Sequence, residues 1–223
     1  MAPRVRRGER RADALSRDRI VAAAIEILDT EGEAALTFRA LTARLATGVG
    51  AIYWHVANKD ELLAAATDDV IARALPGPRD GVPPREAIRA IASGVFDAID
   101  AHPWVGAQLS REPWQAAVLQ VLEGVGGQLR VLAVPAHAQF DAATALVSYV
   151  LGLAGQYAAG ARLLAAETDR AAFLGTVAER WARLDPVAYP FVHEMAAQLP
   201  QHDDRAQFLA GVDLFLAGIT ATR

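Results

Sequence analysis

Three residues, Asn58, Lys59 and Glu61, assemble two kinds of chemistry at the start of one helix. Asn58 is placed to cap it, and Glu61 sits three residues on, where a capping-box carboxylate belongs. Lys59 adds a cation where the orphan backbone N–H groups already favour a phosphate. Just upstream, Tyr53 shares a helical apolar period with Ile52 and Val56, whereas Trp54 and His55 point elsewhere. Further back, Thr37 is a cap for a helix whose Phe38, Leu41 and Leu45 fall at i, i+3 and i+7. Ala46-Thr47-Gly48 then supplies a tight turn. Two short helices, a turn and a pre-capped third helix make a helix-turn-helix, whose second helix can lie in the major groove of duplex DNA.

Enzymatic chemistry finds much less support. The nearest metalloprotease-like string, His193-Glu194-Met195-Ala196-Ala197, lacks the second histidine a zinc helix needs. Gly124-Val125-Gly126-Gly127-Gln128 has neither the lysine nor the spacing of a phosphate loop. There is no serine-elbow pattern, and His202-Asp203-Asp204 reads as the cap of the last helix. The chain is therefore read as a non-enzyme with no metal and no cofactor.

The stretch from Leu36 to Leu63, containing Tyr53-Trp54-His55 and Asn58-Lys59, resembles the DNA-binding domain of the tetracycline-repressor family of transcriptional regulators. Upstream, Ser16 to Gly32 is similar to that family's first helix, with Ser16 as cap and Gly32 as stop. A weaker likeness returns at Tyr189-Pro190-Phe191 and from Phe208 to Ile219. Carried over residue by residue, the resemblance implies DNA contacts at Thr37 and Arg39, at Val49, Gly50, Ala51, Tyr53, Trp54 and His55, and at Lys59. Two departures stand out. Leu45-Ala46-Thr47 replaces the family's usual Leu-Gly-Val, so either a left-handed position in the turn carries a small strain or the turn differs slightly. Val49-Gly50-Ala51-Ile52 offers no hydrogen-bonding side chain, which shifts sequence reading towards methyl contacts, Arg39 and DNA shape.

Composition agrees with this reading. Among 223 residues the net charge is −4, yet residues 1–60 carry 10 basic and 8 acidic side chains, so positive charge is local. It is densest in the first 19 residues, with Arg4, Arg6, Arg7, Arg10, Arg11, Arg17 and Arg19. Such an arm either follows phosphates, adding salt-dependent affinity, or is a solubilising tail. With no cysteine there is no disulfide framework, and a reducing cytoplasm is the expected location. No apolar run precedes Ile20, so the basic start is not read as a secretory signal. Residues 142–161 are 20 in number and uncharged, but rich in Ala and Gly and interrupted by Thr144, Ser148 and Gln156, so no membrane span is expected.

The expected fold is all-α: a disordered basic arm over 1–15, a three-helix DNA-binding domain with the helix-turn-helix over 16–58, and a helical ligand-binding and dimerisation domain over 59–223. Pro76-Gly77-Pro78 and Gly81-Val82-Pro83-Pro84 mark a linker, with Pro84 in the first turn of the next helix. Ile88, Ile91, Val95 and Ile99 share a face until His102-Pro103 breaks the helix, and a short turn is expected over Trp104 to Leu109. Pro113 is expected to open a helix with Val118, Leu122, Val125 and Leu129 inward. Asp141 to Leu164 is expected to be the longest helix, Phe173, Val177, Trp181 and Leu184 mark another, and Phe208, Val212, Phe215 and Ile219 mark the last.

An uncharged long helix is explained by burial on nearly all sides. Together with the last helix it can form a four-helix bundle with the same pair of a second copy, giving a homodimer that reads a palindromic operator in double-stranded DNA. Phe96, His102, Trp104, Gln108, Trp114, Gln128 and Tyr149 are the candidates for a small-molecule effector pocket. Tetracycline repressors hold a magnesium-bound drug with a histidine in this region, but Pro103-Trp104-Val105-Gly106 does not reproduce their motif, so neither metal nor drug is carried over. The function implied is a ligand-responsive DNA-binding repressor. The alternative is a regulator without a pocket, controlled by a protein partner.

Overall fold

A computed structural model describes residues 15–77, 81–112, 114–164 and 170–221. The basic arm apart from residue 15, the linker tip at 78–80 and Pro113 lie outside the described residues. Eleven α-helices and two 3₁₀ turns, with no strand, make up the described chain: α1 (Arg17–Thr30), a 3₁₀ turn (Glu33–Ala35), α2 (Phe38–Leu45), α3 (Val49–Tyr53), α4 (Lys59–Ala74), α5 (Pro84–Ala101), α6 (Pro103–Arg111), α7 (Ala116–Val131), α8 (Ala136–Leu164), α9 (Arg170–Ala182), α10 (Pro190–Met195), a 3₁₀ turn (Leu199–Gln201) and α11 (Asp204–Ala221).

The helix starts follow their caps. Ser16 Oγ accepts from Arg19 N–H at 3.3 Å, Thr37 Oγ1 from Ala40 N–H at 3.1 Å and Asn58 Oδ1 from Glu61 N–H at 2.8 Å. Asp203 Oδ1 accepts from Ala206 N–H at 2.9 Å and caps α11. Pro84 and Pro103 stand at the first positions of α5 and α6, where a missing N–H costs nothing. At the end of α1, Glu31 and Gly32 N–H both return to the Ile27 carbonyl, and Gly32 takes the left-handed φ of 81° that releases the chain.

Helices α1 to α3 form a small head around fully buried Ile20, Ala24, Leu41 and Ile52. Helix α4 belongs to head and body alike: Leu62, Leu63, Ala66, Val70 and Ile71 are buried, and it packs on α1, α5, α6 and α7. Its end passes very close to α5. A Cβ on Gly94 would lie 2.2 Å from the Ala74 carbonyl oxygen, so only glycine lets the two backbones meet there. Helix α8, about 43 Å long at 1.5 Å per residue, packs on α5, α6, α7 and α11 through Ala143, Leu146, Val147, Val150 and Ala154. Ion pairs of Arg89 with Asp213 and of Arg205 with Asp97 join α5 to α11.

Four sequence expectations need correction. Trp104 to Leu109 is not a turn but most of α6: Pro103 restarts the helix, and Trp104, Val105, Gln108 and Leu109 bury one face of it. The run was too short to show a period. Helix α8 begins at Ala136 rather than Asp141, and Phe140 on its first turns is exposed. Helix α7 buries Ala117, Val121, Val125 and Leu129, with Val118 and Leu122 only half-buried, because small Ala117 and not Val118 meets α4. In α11 the innermost residues are Phe208, Val212, Leu216 and Ile219, with Phe215 beside them.

Candidate nucleic-acid interface

The helix-turn-helix is held by its inner face. Leu41 of α2, Ile52 of α3 and Val56 after it are buried, with α2 packed on both α1 and α3, which fixes how the two short helices cross. The turn between them runs through Ala46 at φ 49°, ψ 46°, a left-handed conformation on a residue with a Cβ. Thus the glycine missing from the sequence is missing at the strained position itself. Thr47 N–H and the Ala46 N–H both return to the Thr42 carbonyl, which closes the end of α2 despite the strain.

The outer face carries the expected contact residues. Arg39 is exposed on α2 and takes part in no ion pair among the described residues, whereas Arg44 on the same helix is pinned to Glu26 at 3.3 Å and Glu31 at 3.2 Å. Val49 is 49% exposed, Gly50 exposed and Ala51 half-buried. Tyr53 is 53% exposed while its ring stacks on Phe38 with centroids 4.6 Å apart, so packing sets its direction without hiding it. Trp54 is 90% exposed, an isolated apolar surface that nothing inside the chain requires, and His55 is half-buried. Thr37 combines exposure with its capping bond.

Lys59 is less free than its position suggested. Its Nζ donates to the Glu33 carbonyl at 2.7 Å, leaving two of the three ammonium donors for other partners. The capping box also closes differently, with Glu61 Oε2 accepting from Ala57 N–H at 2.8 Å rather than from the cap residue itself. Glu33 in turn receives a two-pronged bond from Arg111 of α6, at 2.9 and 2.5 Å.

The seven residues proposed for an effector pocket have different partners among the described residues. His102 Nδ1 donates to Asp29 Oδ1 at 2.8 Å and Trp104 Nε1 donates to the same oxygen at 2.7 Å, so both serve the junction of head and body. Trp104 borders a cleft of about 300 Å³ lined also by Leu28, Asp29, Glu33 and Pro103. Phe96 and Tyr149 instead join an aromatic cluster around Phe208, with ring centroids 4.9 and 5.9 Å away, and Tyr149 donates its hydroxyl to the Phe208 carbonyl at 3.0 Å. Tyr157 completes that cluster; burial first and the Asp204 charge second push its hydroxyl up to about 12. Gln108 is buried on α6 and Gln128 half-buried on α7. Trp114 is 84% exposed and stands on the surface between α6 and α7.

Sequence reasoning missed Asp29, Glu33 and Arg111, which tie head to body, and Asp68, which ties α4 to α7. Asp68 of α4 accepts the Ala117 N–H at 2.7 Å and caps α7 from another helix, while burial raises its carboxyl above the ordinary range. Each partner lies 49 or more residues away, and no local pattern signals such a pair.

Comparison with known proteins accords with this geometry. Residues 20–66 match the family described as "Bacterial regulatory proteins, tetR family". The chain is 30% identical over 219 residues to an HTH-type transcriptional regulator of Saccharopolyspora erythraea, covering 93% of this chain and 86% of the relative. The solved structure of a TetR transcriptional regulator from Streptomyces coelicolor superposes with a TM-score of 0.85 at 50% identity, covering 93% of this chain and 99% of that one. The TetR family protein ActR from the same organism, solved in complex with actinorhodin, gives a TM-score of 0.74 at 26% identity, covering 94% and 98%.

Proposed function

The chain belongs to the tetR family of bacterial regulatory proteins and is a DNA-binding transcriptional regulator rather than an enzyme, and from that premise we propose that it is a homodimeric repressor released from a palindromic operator by a small-molecule effector. The observation that carries the DNA-reading half is the outer face of the head, where Arg39, Val49, Tyr53 and Trp54 are exposed together although the fold uses none of them for its core. Arg39 reads base edges from α2, Tyr53, Trp54 and His55 hold the backbone, and Lys59 contributes a phosphate contact at the start of α4. That target places its work in the cytoplasm; no described helix is long and apolar enough to cross a membrane.

Dimerisation is supported by two uncharged strips lying side by side. On α8, Ala145, Ser148, Gly152 and Gln156 are exposed, and on the adjoining α11, Ala210, Leu214, Ala217 and Gly218 are exposed, with Leu214 at 75%. A Cβ at Gly152 or Gly218 would meet nothing within 4 Å, which leaves room for another helix to approach closely. Between the two helices a groove of about 650 Å³ is lined by His137, Asp141, Leu214, Phe215 and Ile219. A two-fold pairing there would relate two recognition helices as a palindrome requires.

Control follows from the way α4 is held. It starts at the Lys59 contact, passes through the body and ends against Gly94. An effector that binds one arrangement of the body better than the other tilts α4 and changes the separation of the two heads. The complex of ActR with actinorhodin shows a relative taking up a small molecule and supports the same class of control here. The test is operator titration by fluorescence anisotropy with and without compounds from a screen. An effector should weaken binding by ~10–100-fold, a coupling of roughly 1–3 kcal/mol. A screen in which compounds bind the dimer without altering operator affinity would count against ligand control.

A further inference from the structure

The recognition helix contains a glycine that no contact among the described residues requires. Gly50 lies inside α3 with an ordinary helical backbone, and a Cβ built on it meets no atom within 4 Å; the same holds for Gly48, whose φ of −85° any residue adopts. Glycine within a helix lowers stability relative to alanine, so a glycine without an internal steric or conformational reason points to a constraint outside the chain. Beside it, Val49 holds its isopropyl group half in solvent, and the outward surface of α3 ahead of Tyr53 presents only the Val49 and Ala51 methyl groups and bare backbone. No side chain there can donate or accept a hydrogen bond. In the major groove, a side chain of this kind distinguishes one base feature, the thymine C5-methyl group.

We propose that Val49 is a specificity-determining residue that reads thymine methyl groups, and that Gly50 is kept side-chain-free so that α3 can approach the base edges closely enough for that contact. The fixed stack of Tyr53 on Phe38 and the burial of Ile52 hold the helix so that Val49 faces outward. This assignment rests on the DNA-binding reading above and adds to it the base chemistry of the operator: A·T pairs opposite Val49 in each half-site, with polar reading left to Arg39.

The experiment uses the full-length protein and the duplex it enriches from a random double-stranded pool. Each thymine of that duplex is replaced in turn by deoxyuridine, which removes the methyl group and leaves base pairing intact. For the unaltered protein, affinity should fall about fourfold at one or more symmetry-related thymine pairs, the value of one buried methyl-sized group. Val49→Ala should shrink that uracil penalty to less than about twofold at those positions and leave other positions as they were. Gly50→Ala should bind the duplex about tenfold or more weakly while melting about 1–4 °C higher, because it strengthens the helix and obstructs the groove. Uracil without effect at every position, an undiminished uracil penalty in Val49→Ala, or full affinity in Gly50→Ala would each overturn the assignment. A pool in which no sequence is enriched would overturn the sequence-specific DNA reading itself, a distinct failure from these.

Discussion

Replacing Gly94 by alanine should disturb DNA binding from deep inside the body. The added Cβ would stand 2.2 Å from the Ala74 carbonyl oxygen and 3.1 Å from its carbon, both backbone atoms at the last turn of α4. Ordinary C···O contact begins near 3.3 Å, so α4 and α5 must part by roughly 1 Å. Such overpacking of a buried crossing costs about 1–3 kcal/mol, which for a chain of this size lowers the melting temperature by roughly 2–12 °C. Because α4 is a single helix of 16 residues, about 24 Å long, the shift reaches Lys59 and the head it anchors. Operator affinity should fall by roughly 3–30-fold although no DNA-facing residue has changed. Gly124→Ala is the control: its Cβ would meet only the tip of the Ile91 side chain at 3.1 Å, a flexible group that can give way. Differential scanning fluorimetry and anisotropy on both variants decide the matter. A Gly94→Ala protein that melts and binds like the unaltered chain would refute the role given to α4.

Ala46→Gly should raise stability by roughly 0.5–1 kcal/mol, the relief of left-handed strain less the entropy of glycine, seen as a melting temperature about 1–4 °C higher; a lower one would mean the turn is not strained. Asp68→Asn keeps an acceptor for Ala117 N–H and removes a carboxylate whose charged form burial disfavours. A raised folded pKa costs stability above that pKa and nothing below the unfolded value near 3.8, so the variant should melt higher at pH 7 and the gain should vanish towards pH 3.5; an equal or opposite effect at both would refute the reading. Leu214→Glu should leave the protomer folded but place a charge in the proposed seam, converting dimer to monomer in light scattering and abolishing tight operator binding; a stable dimer would move the seam elsewhere.

The head was legible because its signals are local. Ser16, Thr37 and Asn58 cap the helices they precede, and Leu41, Ile52 and Val56 sit at helical spacing and are buried. At Ala46 strain and a slightly different turn were both open, and the chain takes the strained, left-handed conformation. The body was legible as helices but not as a site. His102 and Trp104 are pocket candidates by their place between the linker and the long helix, and nothing in the sequence signals that both bond to Asp29, 73 and 75 residues away. The exposure of Trp114 was not legible either, since hydrophobicity alone does not say whether a helix lies over a side chain. Tyr149 and Phe96 pack around Phe208 because α11 returns from the far end of the chain to cover them, a choice made by tertiary packing alone.

Arg39 and Lys59 give the DNA-facing surface its most direct test, because their roles differ. Bound genomic sites, mapped and reduced to one palindromic duplex, should be titrated against both alanine variants over a range of salt. Arg39→Ala should cost roughly 1–3 kcal/mol and relax sequence preference, whereas Lys59→Ala should weaken all sequences alike and lower the salt slope by about 1. Equal loss of specificity in both variants, or no loss in either, would contradict the placement of DNA on this face.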